Sequence, residues 1–144
     1  MSEFNAYFNG EWIPRSKCTV DLADRGFTLG DAVYEAERTF QGKIFDLEGH
    51  VDRLYKSLQY VKIDAALSRD QMAELCLESV TRNEHMWKEG SDFALRQYVT
   101  RGSSVLGDSA PLVYFGADYV NFERFSGMDE NGGHAIFARN RSYS

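Results

Sequence analysis

His50 and Arg53 are spaced so that both could contact one anion. They lie three residues apart near the start of a predicted helix, because the apolar residues of 51–61 recur at helical spacing. Residues three apart share a helix face, and the first helical turn leaves free N–H groups that favour negative charge. Arg53 is therefore our candidate anion ligand, with His50 in support. The same spacing also allows a surface ion pair between Arg53 and Glu48 or Asp52.

Two further arginines, Arg38 and Arg96, lie within alternating apolar and polar runs, 32–40 and 92–101, that predict strands. A cation inside such a strand is costly unless an anion meets it, and a guanidinium can grip a carboxylate with two parallel hydrogen bonds. Both arginines are therefore candidate carboxylate ligands. Alternation does not say which face is inside, so either could instead point outward or pair with a glutamate of the first run.

Tyr34 belongs to the same predicted strand as Arg38 and, four positions before it, shares a face with it. It is a candidate pocket wall, although a plain core aromatic is the other interpretation. Glu35 should point to the opposite face, and we assign it no catalytic role.

The elements that must position these residues predict an α+β fold, in which an antiparallel sheet carries two helices on one face. Asn9-Gly10 predicts a hairpin turn within 6–14, and Gln41-Gly42 predicts another after the strand 32–40. Ser68 and Gln71 predict a capping box that starts the second helix. The remaining predicted strands are 18–22, 43–47, 92–101 and 111–119, and the predicted helices are 48–62 and 69–86.

The end of the sequence predicts a change of domain. Residues 1–121 should form the small α+β domain, and 122–133, which contains three glycines, should be an interdomain linker. Residues 134–144 would then begin the first strand of a second domain that is cut short. We therefore expect the chain to be the N-terminal part of a longer protein.

Composition excludes several function classes. A net charge of −6 over 144 residues, with dispersed Lys and Arg, argues against a nucleic-acid groove. No run approaches the roughly 20 apolar residues of a membrane span, and we see no secretory signal. Cys18 and Cys76 have no metal-ligand spacing, so we predict no metal site and a reduced thiol pair. We expect a soluble, cytoplasmic protein.

The stretch 25–54 resembles the N-terminal domain of the class IV aminotransferases, the fold-type IV pyridoxal phosphate enzymes that include branched-chain and D-amino acid aminotransferases. The resemblance lies in several elements that occur in the family's order. They are Arg25-Gly26 through Gly30-Asp31, Val33-Tyr34-Glu35, Gly42 with Phe45, and His50-x-x-Arg53-Leu54.

The resemblance implies that Arg53 binds the phosphate of pyridoxal 5'-phosphate and that Tyr34, Arg38 and Arg96 contact the substrate. It implies transfer of an amino group between an amino acid, branched-chain-like, or an amine and a 2-oxo acid, by a homodimer. It also implies that residues 134–144 begin the first strand of a larger, cofactor-binding domain, which is truncated here. None of the five lysines occupies the place of the family's catalytic lysine, so we expect no catalytic residue in this chain.

Other functions remain open. A lyase of the aminodeoxychorismate type would share the cofactor, and a non-catalytic binding or dimerisation module could keep the fold without the lysine. The arginine and histidine with which D-amino acid enzymes hold substrate correspond here to Leu106 and Asp108. That difference argues against a D-amino acid substrate.

Overall fold

A six-stranded antiparallel sheet forms the centre of the protein. The computed structural model describes residues 2–103 and 111–119. Along the sheet the strands follow the order β2-β1-β6-β5-β3-β4. Their bounds are β1 Asn5–Phe8, β2 Glu11–Pro14, β3 Ala32–Phe40, β4 Lys43–Ile44, β5 Phe93–Thr100 and β6 Val113–Tyr119. With its helices, this sheet confirms the predicted α+β fold class.

Two helices, α2 (Leu47–Val61) and α3 (Arg69–Arg82), pack on one face of the sheet. Their apolar stripes meet sheet residues in one buried core, because each helix repeats its apolar positions every three to four residues. The buried members of this core include Leu54, Leu58, Met72, Val99 and Phe115. The predicted Ser68–Gln71 capping box starts α3.

The predicted hairpin turns are present. Asn9 and Gly10 both have positive φ, as do Gln41 and Gly42, which is the conformation that tight hairpins require. Asn9 also ties its turn to β6: its side-chain oxygen accepts from the Val113 N–H at 2.8 Å, and its own N–H donates to the Val113 carbonyl.

Three predicted elements were wrong in part or whole. Residues 18–22 form no strand, because a 3₁₀ turn at Arg15–Lys17 follows β2 and the segment after it pairs with no strand of the sheet. The return strand ends at Ile44 instead of residue 47, since Asp46 turns with positive φ before α2. The second helix ends at Arg82, where Asn83 bonds the backbone of Asn5 instead of continuing the helix.

A short helix that we did not predict, α1 (Arg25–Leu29), precedes β3. The buried Asp24 carboxylate caps it by accepting from the Gly26 N–H at 2.7 Å, and it also accepts from the Thr100 hydroxyl at 2.8 Å. A Cβ at position 26 would overlap the Thr100 side chain, so glycine permits this close approach.

The predicted linker 122–133 and the strand in 134–144 lie outside the described residues, as does most of the loop 102–110. No helix within 2–103 and 111–119 has the length and apolar character to cross a bilayer. Those same residues contain no group of three potential metal ligands.

Candidate functional site

The two faces of β3 separate the candidate residues. Tyr34, Ala36 and Arg38 lie on the face that the helices leave open, whereas Glu35 and Glu37 are buried beneath α2 and α3. Period-two alternation produces this division, and Glu35 does point away from Tyr34.

Arg38 and Arg96 line one pocket of about 440 Å³ together with His50 of α2. Arg96 lies opposite Ala36 in the strand register, and Arg38 lies opposite Ala94. The small Ala36 and Ala94 side chains leave a recess between the Arg38 and Arg96 side chains. The structure therefore brings together both predicted carboxylate ligands and the histidine.

The two arginines differ in how far their charge is already paired. Arg38 lies 3.8 Å from the Asp92 carboxylate and 4.1 Å from the centre of the Phe40 ring. The Arg96 side chain is exposed and, among the residues that the structure describes, makes no ion pair or hydrogen bond. Arg96 is thus the more available cation for an anionic ligand.

Arg53 is held by Glu35. Its Nε donates to Glu35 Oε2 at 2.7 Å and its second terminal nitrogen donates to Oε1 at 2.5 Å, which makes a bidentate pair. The His50 Nδ1 lies 3.2 Å from both Glu35 Oε1 and that Arg53 nitrogen. His50 thus contacts Arg53, which does not line the pocket, and itself lines the pocket with Arg38 and Arg96.

The surface ion pair between Arg53 and Glu48 or Asp52 does not form among the described residues, where Asp52 pairs with Arg69 instead. The role of Glu35 as the partner of Arg53 was not predicted. A buried glutamate on the strand beneath a histidine and an arginine three apart is a signal that could have identified it.

The pKa values of Glu35 and Glu37 shift in opposite directions. Burial raises the pKa of Glu35, but hydrogen bonds from Arg53, the Ala36 N–H and His50 outweigh it, so the pKa lies below its ordinary value. Burial raises the pKa of Glu37, and hydrogen bonds from Gln97 and Cys76 offset this only in part. Glu35 therefore ionises more readily than Glu37, and it supplies the negative charge that faces Arg53.

Tyr34 lies on the open face but lines a second pocket, of about 620 Å³, and not the one that holds the arginines. It is 64% exposed and stacks on Tyr98, with ring centres 5.6 Å apart. Phe27 of α1 lines the same pocket. Tyr34 is thus an exposed wall residue and not a core aromatic.

Comparison with known proteins decides the family. The family model described as amino-transferase class IV matches residues 32–119. This chain belongs to the class IV aminotransferases. The matched range of this class IV chain contains the four residues for which we predicted binding roles, Tyr34, Arg38, Arg53 and Arg96.

Curated relatives of this class IV chain are aminotransferases. It is 39% identical over 97 residues to a D-alanine aminotransferase of Bacillus licheniformis, covering 67% of this chain and 32% of the relative. It is 35% identical over 101 residues to a putative branched-chain-amino-acid aminotransferase of Methanocaldococcus jannaschii, covering 70% and 33%. The chain therefore spans about a third of the length of these relatives.

Solved structures of aminotransferases share the fold. A hypothetical aminotransferase from Mycobacterium tuberculosis, in its PLP-bound form, matches with a TM-score of 0.75 and 21% identity, over 88% of this chain and 43% of that one. The branched-chain aminotransferase from Thermoproteus uzoniensis, solved with norvaline, matches with a TM-score of 0.67 and 18% identity, over 83% and 41%.

Proposed function

We propose that this chain is the small domain of a pyridoxal phosphate-dependent aminotransferase, which moves an amino group between an amino acid, branched-chain-like, or an amine and a 2-oxo acid. One observation carries the proposal. The Arg53 guanidinium is held along one edge by Glu35, and its side chain is 64% exposed beside the pocket lined by His50, Arg38 and Arg96.

In this proposal Arg53 binds the cofactor phosphate. A guanidinium carries five N–H donors, and the pair with Glu35 occupies Nε and one terminal nitrogen. The other terminal nitrogen has no hydrogen-bond partner among the described residues and could bind phosphate oxygens, so the residues present fit the group. Pyridoxal phosphate would supply the electron sink for the reaction, while the chain would hold its phosphate and orient the substrate.

The substrate carboxylate would lie between Arg96 and Arg38. Arg96, which has no ion-pair partner within 2–103 and 111–119, would bind it most directly, and Arg38, which Asp92 already neutralises in part, would contribute a weaker contact. Fixing the carboxylate orients the amino end for reaction. Tyr34, stacked on Tyr98, would form a wall of the substrate site from the neighbouring pocket.

We propose further that the protein is a cytoplasmic homodimer. Cys18 and Cys76 are free thiols, as is usual in reducing compartments. Phe27, Leu29 and Tyr34 expose more than 60% of their surface around the open face, and exposed apolar patches typically mark contact surfaces. A second copy is the partner that the family resemblance implies.

The test uses the intact protein. We expect it to bind pyridoxal 5'-phosphate, followed by visible absorbance, and to convert an amino donor only when a 2-oxo acid is present. Arg53→Ala should weaken cofactor binding roughly ten- to a hundredfold by removing a charged hydrogen-bond pair. Arg96→Ala should leave cofactor affinity unchanged and raise KM for the amino acid, because it contacts the substrate alone.

Arg82→Ala is the matched control, since Arg82 pairs with Glu78 on the surface of α3. Arg82→Ala should change neither the cofactor affinity nor the KM for the amino acid. Failure to bind the cofactor would overturn the proposal, and pyruvate release without a 2-oxo acid would point to the lyase.

A further inference from the structure

We propose that Glu35 is a positioning residue, which holds Arg53 so that the free edge of its guanidinium faces a phosphate dianion. This inference rests on the proposed cofactor role of Arg53 and adds a second residue to it. Glu35 itself would not touch the ligand.

The geometry of the pair fixes the guanidinium plane. Two parallel hydrogen bonds, 2.7 and 2.5 Å long, join Arg53 to both oxygens of one carboxylate. A single bond would let the plane rotate, whereas a parallel pair permits one orientation. The terminal nitrogen that does not contact Glu35 is then held in one position relative to that carboxylate.

Glu35 is itself fixed. Its side chain is 7% exposed, against 64% for Arg53. The Ala36 N–H donates to Glu35 Oε1 at 2.9 Å, and His50 Nδ1 lies 3.2 Å from the same oxygen. The pair thus joins a rigid buried anchor to an exposed cation, unlike a surface ion pair between two mobile side chains.

Two effects of Glu35 on anion binding have opposite signs. Its negative charge opposes a nearby phosphate, while holding Arg53 in place removes the entropy that this long side chain would lose on binding. If charge dominated, replacing Glu35 with glutamine would strengthen phosphate binding. If orientation dominates, as we propose, the replacement weakens it.

The experiment measures affinity of the intact protein for pyridoxal 5'-phosphate and for pyridoxal, which lacks the phosphate. In Glu35→Gln we expect pyridoxal phosphate to bind roughly tenfold more weakly, with pyridoxal unaffected, because one charged hydrogen bond is lost. The control is Glu48→Gln, which removes the same charge from the exposed first turn of α2. It should change neither affinity by more than about twofold.

A double-mutant cycle assigns the effect to Arg53. In an Arg53→Lys background, Glu35→Gln should have little further effect, because an ammonium cannot make the parallel pair. If Glu35→Gln does not fold, Arg53→Lys alone is the test: it keeps the charge, yet it should lose roughly tenfold in phosphate-dependent affinity.

Equal or tighter binding by Glu35→Gln, or undiminished binding by Arg53→Lys, would overturn this inference. It would leave the proposed function intact as long as the unaltered protein binds pyridoxal phosphate. No binding by the unaltered protein would overturn both.

Discussion

The buried Glu37 sits among partners that suit a neutral acid. Gln97 donates its side-chain N–H to Glu37 Oε1, and Cys76 Sγ lies 3.4 Å from the same oxygen. Glu37 Oε2 and Gln97 Oε1 are buried with no hydrogen-bond partner among the described residues. Both are acceptors while Glu37 is ionised, so one proton on Oε2 could satisfy both atoms. The burial that raises the pKa of Glu37 favours that form.

This raised pKa makes stability depend on pH. The folded state binds the proton more tightly than the unfolded state, so the contribution of Glu37 is full below the ordinary glutamate pKa. It is lost as pH rises from there through the raised folded pKa. The groups that face Glu37 are Cys76 from α3, His50 from α2 and Glu35 on its own strand.

Glu37→Gln should therefore stabilise the protein at neutral pH by on the order of 1 kcal/mol, because the new amide can pair with both Gln97 groups. It should also flatten the decline of stability above the ordinary glutamate pKa. Urea unfolding from pH 4 to pH 8 measures this. Glu74→Gln, at an exposed position of α3, is the control and should follow the unaltered protein. An unchanged pH slope in Glu37→Gln would contradict the prediction.

The residues of the candidate site were predictable to different degrees. Arg38 and Arg96 came from alternation and family resemblance, and the structure places them in one pocket with His50. The partner of Arg53 was not predictable, because it depends on how α2 lies across β3, which periodicity within each element does not specify. The binding roles of Tyr34, Arg38, Arg53 and Arg96 stay predictions.

At the scale of elements, Arg101 joins the end of α2 to the start of β3. Its terminal nitrogens donate to the Val61 and Lys62 carbonyls at 2.8 and 2.9 Å. Its Nε and one terminal nitrogen also bind the Asp31 carboxylate. Hydrogen bonds from Arg101 and Arg25 lower the pKa of Asp31. Arg101 thus satisfies helix-end carbonyls that have no partner within the helix.

Arg101→Ala should lower the thermal unfolding midpoint more than Arg25→Ala. Both arginines bind Asp31, but Arg25 makes no contact with the α2 carbonyls among its described bonds. Differential scanning calorimetry of the two variants compares the helix contact directly. Equal decreases would mean that the carbonyl contacts contribute nothing.

Element boundaries show what local pattern can and cannot specify. The hairpin at Asn9-Gly10 and the capping box at Ser68 were predicted because their geometry depends on neighbouring residues alone. The end of α3 was not predicted because Asn83 forms a hydrogen bond with the backbone of Asn5, which lies far from it in the sequence. The strand predicted at 18–22 was wrong for a related reason, since a strand needs a partner elsewhere in the sheet and the pattern within 18–22 does not specify one.

For the whole molecule, the helices cover one sheet face and the other stays open with an apolar rim. Phe27 is 68% exposed at this rim, and Tyr60 is 88% exposed on α2. If a second copy covers the open face, Phe27→Glu should shift the protein toward monomer by burying a charge at the interface, while Tyr60→Glu should not. Sedimentation velocity at several concentrations separates these outcomes. Equal association of both variants would place the interface elsewhere.

The junction between Asn9 and Val113 has a consequence during synthesis on the ribosome. These residues lie 104 positions apart, yet β6 fills the place in the sheet between β1 and β5. The first hairpin to emerge therefore gains a neighbouring strand only after β6, the last described strand, has been synthesised. A nascent chain arrested before Val113 would expose one edge of β1 and one of β5, the surfaces that chaperones would have to shield.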